Sequence, residues 1–389
     1  MKIFAQSCVP VLALLLLGAA PSQAQDSQGG KANNNVVVLT NPDAKAVAAY
    51  WTPERFKAAR PLPLPQASST DVQPQELTRL DGQVESSEAR GPSVLKLPAA
   101  KRLFTPGAGT QDAQQNRSGA VTTPSAVGTF GAHFTSSRVF PQFTGSSAAF
   151  SADRAYPYIT AGKLFFSIDG APYLCSASVI QHRIVATAGH CVHSGTARGF
   201  YSNWVFVPAY RDGTAPLLAW NWRAATVTGT WASGGGTVPN AADYAMIEFG
   251  DQAVGNTTRA LGDLTGWLGW QTLSLAANHT SKLGYPCNLD RCEKMQIISS
   301  GAFRSVAPNN VEYGSDAAGG SSGGPWVQNF QVLQAGSSGN SNNGSNRVVG
   351  ITSYGYEPRD PKVQGASILD NRWIGLLNTL CARAPGNCL

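Results

Sequence analysis

Three short stretches hold side chains able to do chemistry. Gly319-Gly320-Ser321-Ser322-Gly323-Gly324-Pro325 sets a serine hydroxyl among glycines. That composition suits a tight turn whose backbone N–H groups converge on one small space, although it also suits a Gly/Ser linker. Val185-Ala186-Thr187-Ala188-Gly189-His190-Cys191 ends a β-type apolar run in small residues and a histidine; alone, a histidine beside a cysteine is more often structural. Asp243 stands just before the apolar run Tyr244-Ala245-Met246-Ile247. A buried carboxylate needs partners, and an imidazole N–H is a natural one, but an aspartate opening a strand is ordinary. Together the three supply a nucleophile (Ser322), a general base (His190) and an orienting acid (Asp243) for acyl transfer. His182 and His193 compete for the base role, and Asp251 and Asp263 for the acid. No metal or cofactor is required. A zinc site is not expected, because only Cys191 has a histidine beside it and no C-x-x-C pair exists.

The elements that must position these residues have a β-rich texture. Of 389 residues, 42% are hydrophobic, 13% are charged and 41 are glycine, which suits an all-β enzyme better than a helical bundle. The net charge is only +6, with no Lys/Arg cluster, so nucleic-acid binding is not expected. From about residue 156, short β-type runs alternate with Gly/Pro/Asn turns, among them 163–168, 176–181, 184–188, 204–208, 224–229, 244–249, 282–285, 295–303, 311–313, 325–327, 348–354 and 364–367. Such spacing predicts a barrel or sandwich. Trp373, Leu376, Leu377 and Leu380 form a helix-period stripe, predicting a short C-terminal helix. Residues 336–346 read as a surface loop.

The N-terminal part differs. Met1-Lys2, the apolar run Val11 to Leu17, and Ser22-Gln23-Ala24 read as a signal peptide over 1–24, cleaved after Ala24, and place the mature chain in the periplasm or outside the cell, off the membrane. Residues 25–154 contain no cysteine and are rich in Gln, Ser, Ala and Pro, as in Arg60-Pro61-Leu62-Pro63-Leu64-Pro65. They read as a partly disordered pro-segment with one helical candidate at 46–49; a permanent extension or a small binding module is the alternative. Cys8 leaves with the signal, and six cysteines remain. Spacing favours the disulfides Cys175–Cys191, Cys287–Cys292 and Cys381–Cys388 in an exported chain.

The order His, Asp, Ser is that of the chymotrypsin group and not of subtilisin or the α/β-hydrolases. With T-A-G-H-C at 187–191 and G-x-S-G-G-P at 320–325, residues from about 155 to 389 resemble a trypsin-like serine peptidase of the bacterial branch that includes the V8-like endopeptidases; Val205-Phe206-Val207-Pro208-Ala209-Tyr210 with Gly213 resembles the same branch. The resemblance implies two six-stranded antiparallel β-barrels with the active site in the cleft between them. It implies a secreted, monomeric endopeptidase acting on proteins or peptides, with the N–H groups of Gly320 and Ser322 as an oxyanion hole. It puts Asp316 at the base of the primary pocket and Ser353, Tyr354, Gly355 and Gly365 along the substrate strand and pocket wall, which favours Arg or Lys. Glutamate specificity is the second reading, although Thr352 stands where that group usually has a histidine. Ala318 replaces a pocket cysteine, and Ser321 cannot form the ion pair that activates the animal enzymes, so activation follows another route. Arg138–Val139 and Arg154–Ala155 are candidate processing points. A non-catalytic binding protein on this scaffold, or an esterase, would be the alternative.

Overall fold

The computed structural model describes residues 36–68, 74–77, 82–94, 97–105, 132–139, 154–331, 344–356 and 362–389. The leader expected over 1–24 lies outside them. Six antiparallel strands close a barrel: Ala161–Ile168, Ala171–Gln181, Ile184–Thr187, Ala245–Phe249, Trp220–Thr228 and Ser202–Pro208, the last returning to the first. The first hairpin turns at Asp169-Gly170, both at positive φ, the conformation a two-residue hairpin loop needs. Leu164, Phe206 and Trp220 share one face of the paired strands and are buried in the core, as is Trp204. The helix Asn371–Cys381, capped by Asp370, seats Trp373, Leu376, Leu377 and Leu380 in the same core, each large side chain worth roughly 1.5–3 kcal/mol of burial.

A second antiparallel sheet runs Val363–Ser367, Asn310–Gly314, Gln296–Val306, His279–Gly284, Pro325–Gln328, Arg347–Ile351. Among the described residues no strand ladder joins its two end strands. The stretch after Arg347–Ile351 meets Val363–Ser367 through the isolated bridge Tyr354–Gly365. The Tyr354 ring lies across that seam, 2.1 Å from where a Cβ on Gly365 would sit, so position 365 has room only for glycine.

The described residues before 154 carry structure of their own. Val36–Thr40 adds a strand beside Trp220–Thr228, and Phe134–Arg138 adds one beside Gln296–Val306. Between them come the helices Ala44–Tyr50, capped by Asp43, and Pro53–Ala58, capped by Thr52. Trp51 stacks on Phe56 at 4.7 Å, and both rings pack on Phe165 of the barrel. Two short strands, Arg60–Pro61 and Gln66–Ala67, follow.

Candidate active site

His190 sits in the one-turn 3-10 helix Gly189–Cys191, directly after the barrel strand Ile184–Thr187. Asp243 precedes Ala245–Phe249, and Thr187 pairs with Ala245. Two neighbouring strands therefore deliver the two side chains to one end of the barrel. Asp243 is wholly buried. Its carboxylate accepts from the His190 backbone N–H at 2.8 Å, lies 2.8 Å from His190 Nδ1, and accepts from Ser353 Oγ at 2.5 Å. Three donors on one carboxylate meet the requirement that a buried charge be paired. Gly189 is needed here, because a Cβ would come within 2.9 Å of Asp243 Oδ1 and 2.8 Å of Trp231. The cystine Cys175–Cys191 ties the histidine turn to the adjacent strand.

The Gly/Ser motif is a turn and not a linker. Ser176, next to Cys175, holds it from the barrel side. Its N–H donates to the Ser322 carbonyl at 2.7 Å, and its hydroxyl donates to the Gly320 carbonyl at 2.8 Å. Gly320 has φ +94 and Gly323 φ +80, and a Cβ on Gly323 would lie 2.0 Å from Thr187 Oγ1. The turn thus packs directly on the strand that leads to His190. Ser322 Oγ and His190 Nε2 are buried and have no hydrogen-bond partner among the described residues. Ser176, Ser353 and Gln364 belong to the site as well. Of these, sequence reasoning singled out only Ser353, and for another role; isolated serines and glutamines in β-runs carry no motif.

The competing residues are engaged elsewhere. His182 bridges Asp263 and the Gly386 carbonyl. His193 accepts from the Gly195 N–H, and burial lowers its pKa. Asp251 forms a two-point ion pair with Arg183, which holds its carboxyl below the usual range. Cys175, His190 and Cys191 cluster closely enough to hold a metal, but both sulfurs are in the cystine and offer no thiolate.

Beside the turn lies a cavity of about 200 Å³. Ser315, Ala317, Ala318 and Gly319 form one side; Gly355, Tyr356, Lys362 and Val363 form the other. Asp316 is not among these lining residues. Its carbonyl accepts from Asn288 at 2.8 Å, and its charge acts on buried Lys282, whose pKa burial drives far down and Asp316 draws partly back. The Cys287–Cys292 loop braces this wall where Ala318 leaves no cysteine. Cys287 N–H donates to Gly319 O, and Ala318 N–H donates to Asn288 Oδ1, each at 2.9 Å. The third cystine joins Cys381 to Cys388, and three cystines fit an oxidising compartment. Among the described residues no helix is long and apolar enough to cross a membrane.

No family model matches the chain. Over 152 residues, 39% of this chain and 44% of the relative, it is 29% identical to a glutamyl endopeptidase of Bacillus licheniformis, and so spans less than half of that relative's length. Among solved structures it is similar to the protease Anisep of Arthrobacter nicotinovorans (27% identity, 58% of this chain and 97% of that one, TM-score 0.47). A Glu endopeptidase in complex with MPD gives 20% identity, 59% and 94% coverage and a TM-score of 0.46. In its sequence relative, its closed antiparallel barrel and the histidine–aspartate pair at the barrel's end, the chain resembles the chymotrypsin-like serine peptidases of bacteria, of the V8-like kind.

Proposed function

We propose that the chain is an exported serine endopeptidase in which Ser322, His190 and Asp243 act together. The observation that carries this is the buried Asp243 carboxylate bonded to both the backbone N–H and Nδ1 of His190. That pairing puts the ring proton on Nδ1 and leaves Nε2 as a free base. Ser322 Oγ attacks the scissile carbonyl while His190 Nε2 takes its proton. The carbonyl oxygen gains charge opposite the N–H groups of Gly320 and Ser322, each worth about 3 kcal/mol in such sites. The C–N bond then breaks, His190 gives its proton to the leaving amine, and Ser322 is left acylated. Water, deprotonated by His190, releases the acid and restores the serine.

The cavity lining supports cleavage after glutamate over cleavage after Arg or Lys. Lys362 supplies a positive charge, and no carboxylate is among the described lining residues. The name of the bacterial relative points the same way. Reporter peptides with Glu, Arg or Phe before the scissile bond test this, alongside fluorophosphonate labelling of Ser322. Glu is expected to be cut fastest; faster cleavage of Arg sinks the specificity, and no labelling of processed, folded protein sinks the activity.

Processing is placed at Arg154–Ala155 in preference to Arg138–Val139. Arg138 is locked in a ladder and paired with Asp290, while Val139 is 5% exposed and donates to Met295 O.

A further inference from the structure

Residues 60–67 cross the candidate site as a strap. Arg60–Pro61 pairs parallel with Tyr173-Leu174 beside the Cys175 clamp, and Leu62 N–H donates to Leu174 O at 3.0 Å. Gln66–Ala67 pairs parallel with Gly355-Tyr356, and Gly355 N–H donates to Pro65 O at 3.0 Å. Between these anchors the chain passes the wall of the nucleophile turn. A Cβ on Gly319 would lie 3.1 Å from Leu62 O and 3.6 Å from Leu64 N. Pro63, Leu64 and Gln66 all line the cavity. Leu64 is 6% exposed, and its Cδ2 lies 2.8 Å from where a Gly355 Cβ would be. Ala67 is buried with Tyr354, Tyr356 and Val363.

We propose that this strap is a built-in inhibitor that occupies the substrate groove of the intact chain without being cut; the inference rests on the peptidase reading above. Four observations carry it. The nucleophile and base are sealed from solvent: Ser322 is 0% and His190 4% exposed. The strap takes the Gly355 N–H, the backbone donor next to the cavity, and walls the cavity with Pro63, Leu64 and Gln66. Its carbonyls are engaged elsewhere: Leu64 O accepts from Gln66 Nε2 at 2.7 Å and Pro65 O from the Gly355 N–H at 3.0 Å. Leu62 O faces Gly319, and the Gly320 and Ser322 N–H groups have no partner among the described residues. Finally, proline at 61, 63 and 65 fixes φ at alternate positions, so the extended form costs little entropy. The strap is held from outside the groove by Trp51 and Phe56 on Phe165 and by the Arg60 guanidinium over the Tyr173 ring at 5.2 Å.

The test compares fluorophosphonate labelling of Ser322 in three preparations. These are the full chain verified uncut by mass, the same chain carrying Leu64→Lys, which sets a second cation beside Lys362, and the enzyme processed after Arg154. Leu64 lies outside the main core, and thermal unfolding checks that the variant is folded. A tethered segment acts at an effective concentration of the order of 1 mM, so a strap that binds with a Kd of about 0.1 mM slows labelling about tenfold. The intact chain is expected to label about tenfold more slowly than the Leu64→Lys chain. A synthetic peptide spanning 59–68 is expected to slow the processed enzyme at submillimolar concentration and to remain uncut. Equal labelling of intact and Leu64→Lys chains, or a peptide that is cleaved or inert, overturns the strap and leaves the peptidase reading standing. No labelling of any folded preparation overturns both.

Discussion

Replacing Asp243 by asparagine isolates the part of the site on which the mechanism turns. One carboxylate oxygen, Oδ1, takes the His190 backbone N–H; the other, Oδ2, takes His190 Nδ1 and Ser353 Oγ at 2.8 and 2.5 Å. Asparagine can keep its oxygen on the backbone N–H, but it then presents an NH2 group to Nδ1 and to the serine hydroxyl. The imidazole must move its proton to Nε2, where it can no longer accept one from Ser322. Each charge-assisted bond contributes roughly 1.5–3 kcal/mol, so losing two removes roughly 3–6 kcal/mol. At 1.36 kcal/mol per decade this lowers kcat/KM by about 10²- to 10⁴-fold. The assay is kcat/KM of processed enzyme on the glutamyl reporter, with labelling of Ser322 and thermal unfolding measured on the same preparation. Ser353→Ala removes only one of the two bonds, and a loss of about 10- to 100-fold is expected. An Asp243→Asn enzyme within about tenfold of wild type, and equally stable, would refute the claim that this carboxylate sets the tautomer of His190.

Removing the Cys175–Cys191 cystine by double alanine substitution is expected to cost about 3 kcal/mol and to lower Tm by roughly 6–12 °C, read by calorimetry, because it closes a 16-residue separation. Gly323→Ala should not yield folded protein: its φ is +80 and the new Cβ would lie 2.0 Å from Thr187 Oγ1, so loss of soluble expression is the readout and a normal yield the contrary result. Burial lowers the Lys163 pKa from its ordinary 10.5 to about 8, partly offset by Glu293 at 3.1 Å. Between those values the unfolded chain binds the extra proton, so stability rises with pH by up to about 1.4 kcal/mol per unit. Denaturant titrations of wild type and Lys163→Met should therefore diverge in favour of wild type as pH is raised from about 8, and parallel curves would contradict it.

The first barrel, the C-terminal helix and the three motifs were legible because each has a local signature: alternating apolar runs, a 3.6-residue stripe, and glycines at positions where a Cβ has no room. What was not legible depends on distant pairing. Ser176 looks like any strand serine, yet it fastens both carbonyls of the nucleophile turn. Asp316, which the resemblance puts at the base of the pocket, is absent from the lining of the described cavity, and its charge acts on Lys282. The stretch before residue 154 is rich in Pro, Gln and Ser and read as partly disordered. Its described parts are ordered by docking: Val36–Thr40 borrows a partner strand, and Trp51 and Phe56 borrow Phe165. Neither segment shows a period long enough to predict its own structure.

Ser321 connects the site to its control. In a chain activated by a new N-terminus, the residue before the nucleophile needs a charge, and the turn stays unformed until that charge is met. Here Ser321 Oγ donates to Ala318 O at 2.6 Å and accepts from Gln364 Nε2 at 2.8 Å, while Gln364 Oε1 accepts from Ser315. These neutral bonds are complete in the intact chain, and they hold the 315–321 wall together with Asn288 and Cys287. The nucleophile turn is therefore built before any cut is made. A turn already built can be silenced by covering it, and under the proposal above residues 60–67 supply the cover. Under that proposal regulation resides in how firmly the Trp51–Phe56 anchor and the proline strap are held, and removing the strap should expose a site in which only the Ser322–His190 contact has still to form.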